Sequence, residues 1–155
     1  MNQKFVIGVD IGTTSTKSVL FKTDGTIVST FGVEYPLYSP NPETAEQNPH
    51  EIFQAVIKTI KEVISKVDPA DLLCVSSSSA RHSVIAVDRD GTPLSNCMTW
   101  ADNRSAKWAE KIAKELNGHE IYLRTGTPIH PMSPLSKITW IRNEQTDLFL
   151  KTCKF

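Results

Sequence analysis

Three short apolar runs follow one another at the start of the chain. Phe5-Val6-Ile7-Gly8-Val9 is rich in β-branched residues. Lys17-Ser18-Val19-Leu20-Phe21 resumes the strand pattern after Gly12 and the hydroxyl cluster Thr13–Thr16, and Ile27-Val28-Ser29-Thr30-Phe31 follows an Asp24-Gly25 turn signal. Consecutive strands with short turns predict an antiparallel meander. Pro36, Pro40, Pro42 and Pro49 then predict an extended surface loop over residues 36–49.

After that loop the spacing turns helical. Asn48 as cap, Pro49 at the first position and Glu51 three residues after the cap predict a helix start. Phe53, Val56, Ile57, Ile60, Val63, Ile64 and Val67 recur at the helical period and predict a face that packs on the sheet. Leu72-Leu73-Cys74-Val75 predicts a buried strand. Val84–Val87 and Leu94–Thr99 flank Asp88-Arg89-Asp90-Gly91 and predict a second hairpin. A hairpin brings its outer ends together, which would place Arg81 and His82 beside Trp100. Asp102 or Asn103 is the expected cap of the next helix, with Trp108, Ala109, Ile112, Ala113 and Leu116 on its apolar face and Gly118 at its stop. Ser133-Pro134 opens a further helix with Ile138 and Ile141 inward. Leu148, Phe149, Leu150 and Cys153 read as the start of another element.

Composition narrows the classes. The chain is 39% hydrophobic and 22% charged over 155 residues, enough for one soluble domain with a real core. Lys plus Arg and Asp plus Glu both number 17, so the balanced charge gives no reason to expect nucleic acid or a membrane surface as partner. An anion site must then be local, built from backbone N–H groups or a few placed cations. No run approaches the roughly 20 apolar residues of a membrane span, and Met1-Asn2-Gln3-Lys4 leads straight into the first strand without a secretion leader. Cys74, Cys97 and Cys153 form no CxxC pair and no disulfide framework; Cys74 and Cys97 lie in apolar runs and are expected in the core. A reducing cytoplasm fits these features.

Candidate chemistry centres on Gly8-Val9-Asp10-Ile11-Gly12-Thr13-Thr14-Ser15-Thr16-Lys17. This run lies between two strands and lacks the GxxxxGK[ST] spacing of a P-loop. Its residue types still suit phosphate. Gly12 lets the backbone approach closely, successive turn N–H groups form an anion-binding concavity, and Thr13, Thr14, Ser15 and Thr16 add hydroxyl donors. Asp10 ends the first strand, where its carboxylate could reach Mg²⁺ through water. A hydroxyl-rich hairpin with Asp10 capping its turn is the plainer alternative.

The whole run resembles the first phosphate motif of the actin-like ATPase superfamily, which includes sugar kinases, actin and the chaperone ATPases. Four further stretches are Glu46-Gln47-Asn48-Pro49, Ser79-Ala80-Arg81-His82-Ser83, Trp100-Ala101-Asp102-Asn103-Arg104-Ser105, and Thr125-Gly126-Thr127-Pro128 running on to Lys137 and Trp140. In this order they resemble the FGGY family of carbohydrate kinases, which phosphorylate glycerol, xylulose, ribulose, gluconate and related polyols. Thr127–Met132 is most similar to the gluconate kinases of that family. His130 stands where glycerol kinases carry an acidic residue, and Met132 where they carry an aromatic polyol ligand.

The resemblance implies an α/β domain of the ribonuclease-H-like type, a mixed sheet with flanking helices, using ATP and Mg²⁺. It implies that Asp10, Gly12, Thr13, Thr14, Ser15 and Lys17 face the nucleotide phosphates, with Asp10 on the metal side. It implies that Gln47, Arg81, His82 and Trp100 bind a sugar or sugar acid, Trp100 as the apolar wall for its C–H face. It also implies a catalytic base beyond residue 155 and an adenosine pocket in a second domain. Residues 1–155 are then most of the N-terminal domain, inactive without the C-terminal domain; a homodimer is compatible.

Alternatives stand beside these roles. Arg81 also reads as a surface ion-pair partner, Trp100 as a packing residue before a helix, Asp102 as an N-cap, Trp108 and Trp140 as core, and His50 and His119 as exposed helix-end residues. An actin-like or chaperone-like ATPase without a sugar substrate is a competing reading, which the Trp100–Ser105 stretch argues against. A sugar-binding module without catalysis is a third.

Overall fold

The computed structural model describes residues 3–155. In chain order its elements are β1 (Phe5–Ile11), β2 (Ser15–Lys22), β3 (Ile27–Glu34), β4 (Glu46–Gln47), α1 (Pro49–Ile64), β5 (Leu72–Ser79), β6 (Cys97–Met98), α2 (Ala106–Glu115), α3 (Gly118–Thr125), α4 (Pro134–Glu144) and α5 (Thr146–Lys151). They fall into two compact units. One comprises residues up to Pro36 with His50–Ala80, and the other Leu37–Pro49 with Arg81–Phe155.

The first unit is a four-stranded sheet in the order β3-β2-β1-β5. The meander expected from the sequence is present, with β1–β2 and β2–β3 antiparallel and β5 added parallel to β1. Strand alternation sorts the side chains. Phe5, Ile7, Val9 and Leu20 turn to one face and pack with Val63 of α1, ringed by Val56, Ile60, Ile64 and Val67. The core line of α1 runs through Ala55, Thr59 and Val63, and Phe53, off that line, is 59% exposed. Within this core Ser18 Oγ donates to Thr59 Oγ1 at 2.8 Å.

Two expectations fail at β5. The strand runs on through the serines to Ser79, and Leu73, Cys74 and Val75 are exposed, not buried. Among the described residues β5 is a sheet edge with β1 as its neighbour, and the core residues come from β1, β2 and α1.

The second unit holds little regular sheet. Residues 36–49 are more than a surface loop. Tyr38 bridges Glu46 through bonds of 2.8 and 2.9 Å, β4 pairs with β6, and Thr44, Ala45 and Gln47 are buried. The expected second hairpin forms as bridges at Val84–Met98 and Val87–Pro93, and the Asp88 carboxylate accepts both Asp90 N and Thr92 N at 2.9 Å in its turn. Cys97 is buried as expected. Val84, Met98 and Ile141 form a small core, with Ile138, Trp140, Leu148 and Phe149 packed around it.

The α2–α3 corner corrects the helix reading. α2 buries Ala109 and Ile112 but exposes Ala113 and Leu116. Trp108 is half-buried and donates to Glu144 at 3.1 Å. Asn117 makes the left-handed turn at φ 55°, and Gly118 begins α3 instead of ending α2. A Cβ on Gly118 would lie 2.6 Å from Ala113 Cα, so the close approach of the two helices requires glycine there. Among the described residues no helix is long and apolar enough to cross a membrane.

Candidate functional site

The phosphate-loop candidates lie in the first unit. The link from β1 to β2 is a tight turn in which Gly12 N donates to Ser15 O at 2.9 Å. A Cβ on Gly12 would meet Ser15 O at 3.1 Å, so the turn favours a residue without a side chain. Tyr35, buried at the end of β3, braces it: its hydroxyl donates to Gly12 O at 2.7 Å and its N–H donates to Thr14 O at 3.2 Å. Thr14 is exposed, while Thr13 and Ser15 are half-buried. Thr16 is fully buried and lies 3.1 Å from the Tyr35 hydroxyl, so it belongs to the brace and not to the set of outward donors.

Alternation sends Asp10 and Lys17 to the sheet face opposite the core. They are register partners across β1–β2 and both are exposed. With Gly8, Phe21 and Ser76–Ser78 they line a groove of about 330 Å³. Ser78 Oγ donates to the Asp10 carboxylate at 3.1 Å. The groove thus offers a carboxylate, an ammonium and serine hydroxyls on one open surface. Hard oxygen donors of this kind suit Mg²⁺, and the cation and hydroxyls suit phosphate oxygens. Sequence reasoning missed Tyr35 and Ser76–Ser78. The serine run after Leu72–Val75 was a visible signal for the latter; nothing in the sequence marked Tyr35.

The sugar-side candidates lie in the second unit. Gln47 is buried and pairs with Cys97. Arg81 is exposed. His82 is half-buried and holds φ 65°, a left-handed conformation uncommon for a residue with a side chain. Trp100 lies two residues past β6 and is 52% exposed.

The rest of the Trp100–Ser105 stretch is structural. Asp102 does not cap α2, which begins at Ala106 behind Ser105. Its carboxylate is 1% exposed. It accepts Ala45 N at 3.0 Å and Arg104 Nη2 at 2.8 Å. Arg104 also pairs with Glu46 and lies 4.8 Å over the Trp140 ring. Burial works against the Arg104 charge, but the Asp102 and Glu46 carboxylates outweigh it and hold its pKa above the ordinary value. Thr99 N and Oγ1 both donate to Ala45 O, and Ser105 Oγ donates to Pro131 O at 2.8 Å.

One residue at this corner carried no role in the sequence reading. Lys137 of α4 is fully buried. Its Nζ donates to His82 O at 2.7 Å, Thr99 O at 2.7 Å and Met132 O at 2.8 Å. The backbone at His82 and the residue before Trp100 therefore meet at a single ammonium. Burial pushes the Lys137 pKa down to about 8, against the nearby Asp102 carboxylate, which raises it. The sequence marked Lys137 only as part of the family-like stretch running from Thr125 to Trp140, with no role of its own.

The strand order of the first unit, a meander with a parallel strand added beside β1, is the ribonuclease-H-like arrangement of the actin-like ATPases, as the sequence led us to expect. The model of the FGGY family of carbohydrate kinases, N-terminal domain, matches residues 5–155, and the chain belongs to that family. It is 56% identical over 151 residues to a gluconokinase of Bacillus subtilis, covering 97% of this chain and 29% of that protein. A glycerol kinase of Thermococcus gammatolerans is 32% identical over 141 residues, covering 90% of this chain and 28% of that protein. The crystal structure of gluconate kinase from Lactobacillus acidophilus superimposes with a TM-score of 0.92 at 36% identity, covering 97% of this chain and 30% of that one. The chain thus spans about three-tenths of the length of the relatives it matches. Membership of this family sets aside the actin-like and chaperone-like reading.

Proposed function

We propose that this chain is the phosphate- and sugar-facing part of a longer enzyme that transfers a phosphoryl group from ATP to a hydroxyl of a sugar acid, with gluconate as the substrate. The observation that carries the reading is the graded similarity. Among the curated relatives identity is 56% and 53% to two Bacillus gluconokinases and 26–33% to glycerol and xylulose kinases, while a xylulose kinase of known structure from Lactobacillus acidophilus stands at 36%, level with the gluconate kinase from that organism. Asp10, Gly12, Thr13, Thr14, Ser15 and Lys17 serve the nucleotide phosphates. Asp10 would hold Mg²⁺, which supplies charge neutralisation at the phosphates. Gln47, Arg81, His82 and Trp100 serve the sugar. Arg81 is exposed and forked, a geometry suited to a carboxylate. The base that orients the attacking hydroxyl and the adenosine pocket lie outside these residues, in a C-terminal domain, and the enzyme works in the cytoplasm.

A coupled ATP assay tests this. The longer protein should turn over with gluconate in preference to xylulose and glycerol, while residues 1–155 alone should show no sugar-dependent turnover. Turnover by the isolated chain refutes the placement of the base, and a longer protein that binds gluconate without turning over is the sugar-binding module instead.

A further inference from the structure

We infer that Lys137, as an ammonium, is a positioning residue for the sugar site: it locks the His82–Trp100 corner in its binding shape and releases it on losing its proton. The inference rests on the sugar-site reading above and adds to it a residue that touches no substrate.

The argument begins with valence. A lysine ammonium has three N–H donors and no acceptor, and a neutral amine has two donors and a lone pair. The Lys137 Nζ faces three carbonyl oxygens, those of His82, Thr99 and Met132, at 2.7–2.8 Å. The ammonium satisfies all three. The neutral amine must leave one carbonyl without its donor and turn a lone pair toward oxygen. In a fully buried place that loss is not made good by water.

The three carbonyls belong to three separate segments. His82 precedes the first arm of the hairpin, Thr99 follows the second, and Met132 lies in the turn before α4. None is held there by a long ladder: the hairpin consists of isolated bridges and the two-residue strand β6. His82 is also held at φ 65°, a conformation that persists only when its surroundings fix it. Trp100 is bonded to Thr99, which Ala45 O holds from the other side, and His82 carries the first gripped carbonyl, so two proposed sugar-binding residues are tied together through this one nitrogen.

The charge is poised to change. Burial brings the Lys137 pKa down to about 8, with Arg104 adding to the fall and Asp102 and Cys97 opposing it. Burial, the largest influence on the Cys97 thiol, raises its pKa. His82 and His130 are the other titratable side chains on the gripped segments, and His130 Nδ1 accepts Met132 N at 3.1 Å. If sugar binds the corner only in its locked shape, binding raises the Lys137 pKa, and affinity must fall as pH rises through about 8.

Calorimetry of the full-length enzyme with gluconate, without ATP, reads this directly. Gluconate stays ionised throughout the range. Affinity should fall on the order of tenfold from about pH 7 to about pH 9.5. Lys137→Met should bind on the order of tenfold more weakly at pH 7 and lose the step near pH 8, and Lys137→Arg should restore charge but not the step. A flat wild-type profile overturns the inference even if Lys137→Met fails to fold. So does wild-type affinity in a folded Lys137→Met. With gluconate binding intact, either result leaves the kinase reading standing. Absence of gluconate binding at every pH overturns the reading and the inference together.

Discussion

The two units solve the same problem in opposite ways. In the first, backbone groups are satisfied by long ladders, seven register pairs in β1–β2 alone, and the interior is chiefly Phe5, Ile7, Val9, Leu20 and Val63, with only Thr16, Ser18 and Thr59 as uncharged polar members among the described residues. In the second, the strands β4 and β6 have two residues each. Its buried set includes Thr44, Gln47, Thr99, Asp102, Ser105, Ser133, Ser136 and Lys137. Buried N–H and C=O groups must find partners. Where no ladder supplies them, side chains do: Asp102 takes Ala45 N, Thr99 takes Ala45 O, and Lys137 takes three carbonyls. The difference teaches that an irregular unit is held by buried charged and polar side chains, where a sheet is held by its ladders and its apolar area.

The comparison breaks or sharpens at specific residues. The largest effect is expected on catalysis. In the full-length enzyme Asp10→Asn should lower turnover about a hundredfold, because the lost charge acts at the metal side of the transition state. Gluconate binding measured without ATP should stay near wild type, since a metal-side carboxylate acts on the phosphates. Turnover within a few-fold of wild type would remove Asp10 from the phosphate site.

Next comes the brace of the second unit. Asp102→Ala leaves Ala45 N without its partner and Arg104 with Glu46 alone, and should cost about 3 kcal/mol in urea denaturation. The matching loss in the first unit, Ser18→Ala against Thr59, should cost about 1 kcal/mol. Equal costs would dissolve the contrast between the units.

Trp100→Ala should raise the KM for gluconate by a factor corresponding to about 1–3 kcal/mol, with little change in stability because the ring is half in solvent. A large loss of stability with unchanged KM would make Trp100 a packing residue. The smallest effect is Tyr35→Phe. It removes the hydroxyl that holds Gly12 O, should cost about 1 kcal/mol, and should loosen ATP more than gluconate. Equal loosening of both ligands would show that Tyr35 is not specific to the phosphate turn.

The sequence by itself determined the regular parts. Short apolar runs bounded by turn signals fixed β1, β2 and β3, the helical period fixed α1, and Pro134 behind Ser133 fixed the start of α4. These signals are local, since each rests on neighbours along the chain. The run Gly8–Lys17 and the Trp100–Ser105 stretch were legible as well, because their residue types carry chemistry before any fold is known. Only the tertiary structure decided which of those residues face outward. Asp102 reads as a helix cap in sequence and is a buried strut in space, because its partner Ala45 is 57 residues away. Cys74 reads as core and is exposed, because burial at an edge strand depends on what lies beside the sheet. Lys137 stands in a stretch that the sequence singles out, from Thr125 to Trp140, but nothing in that stretch gives it a role. Its three acceptors are 55, 38 and 5 residues distant, and no periodicity along a chain records such a meeting.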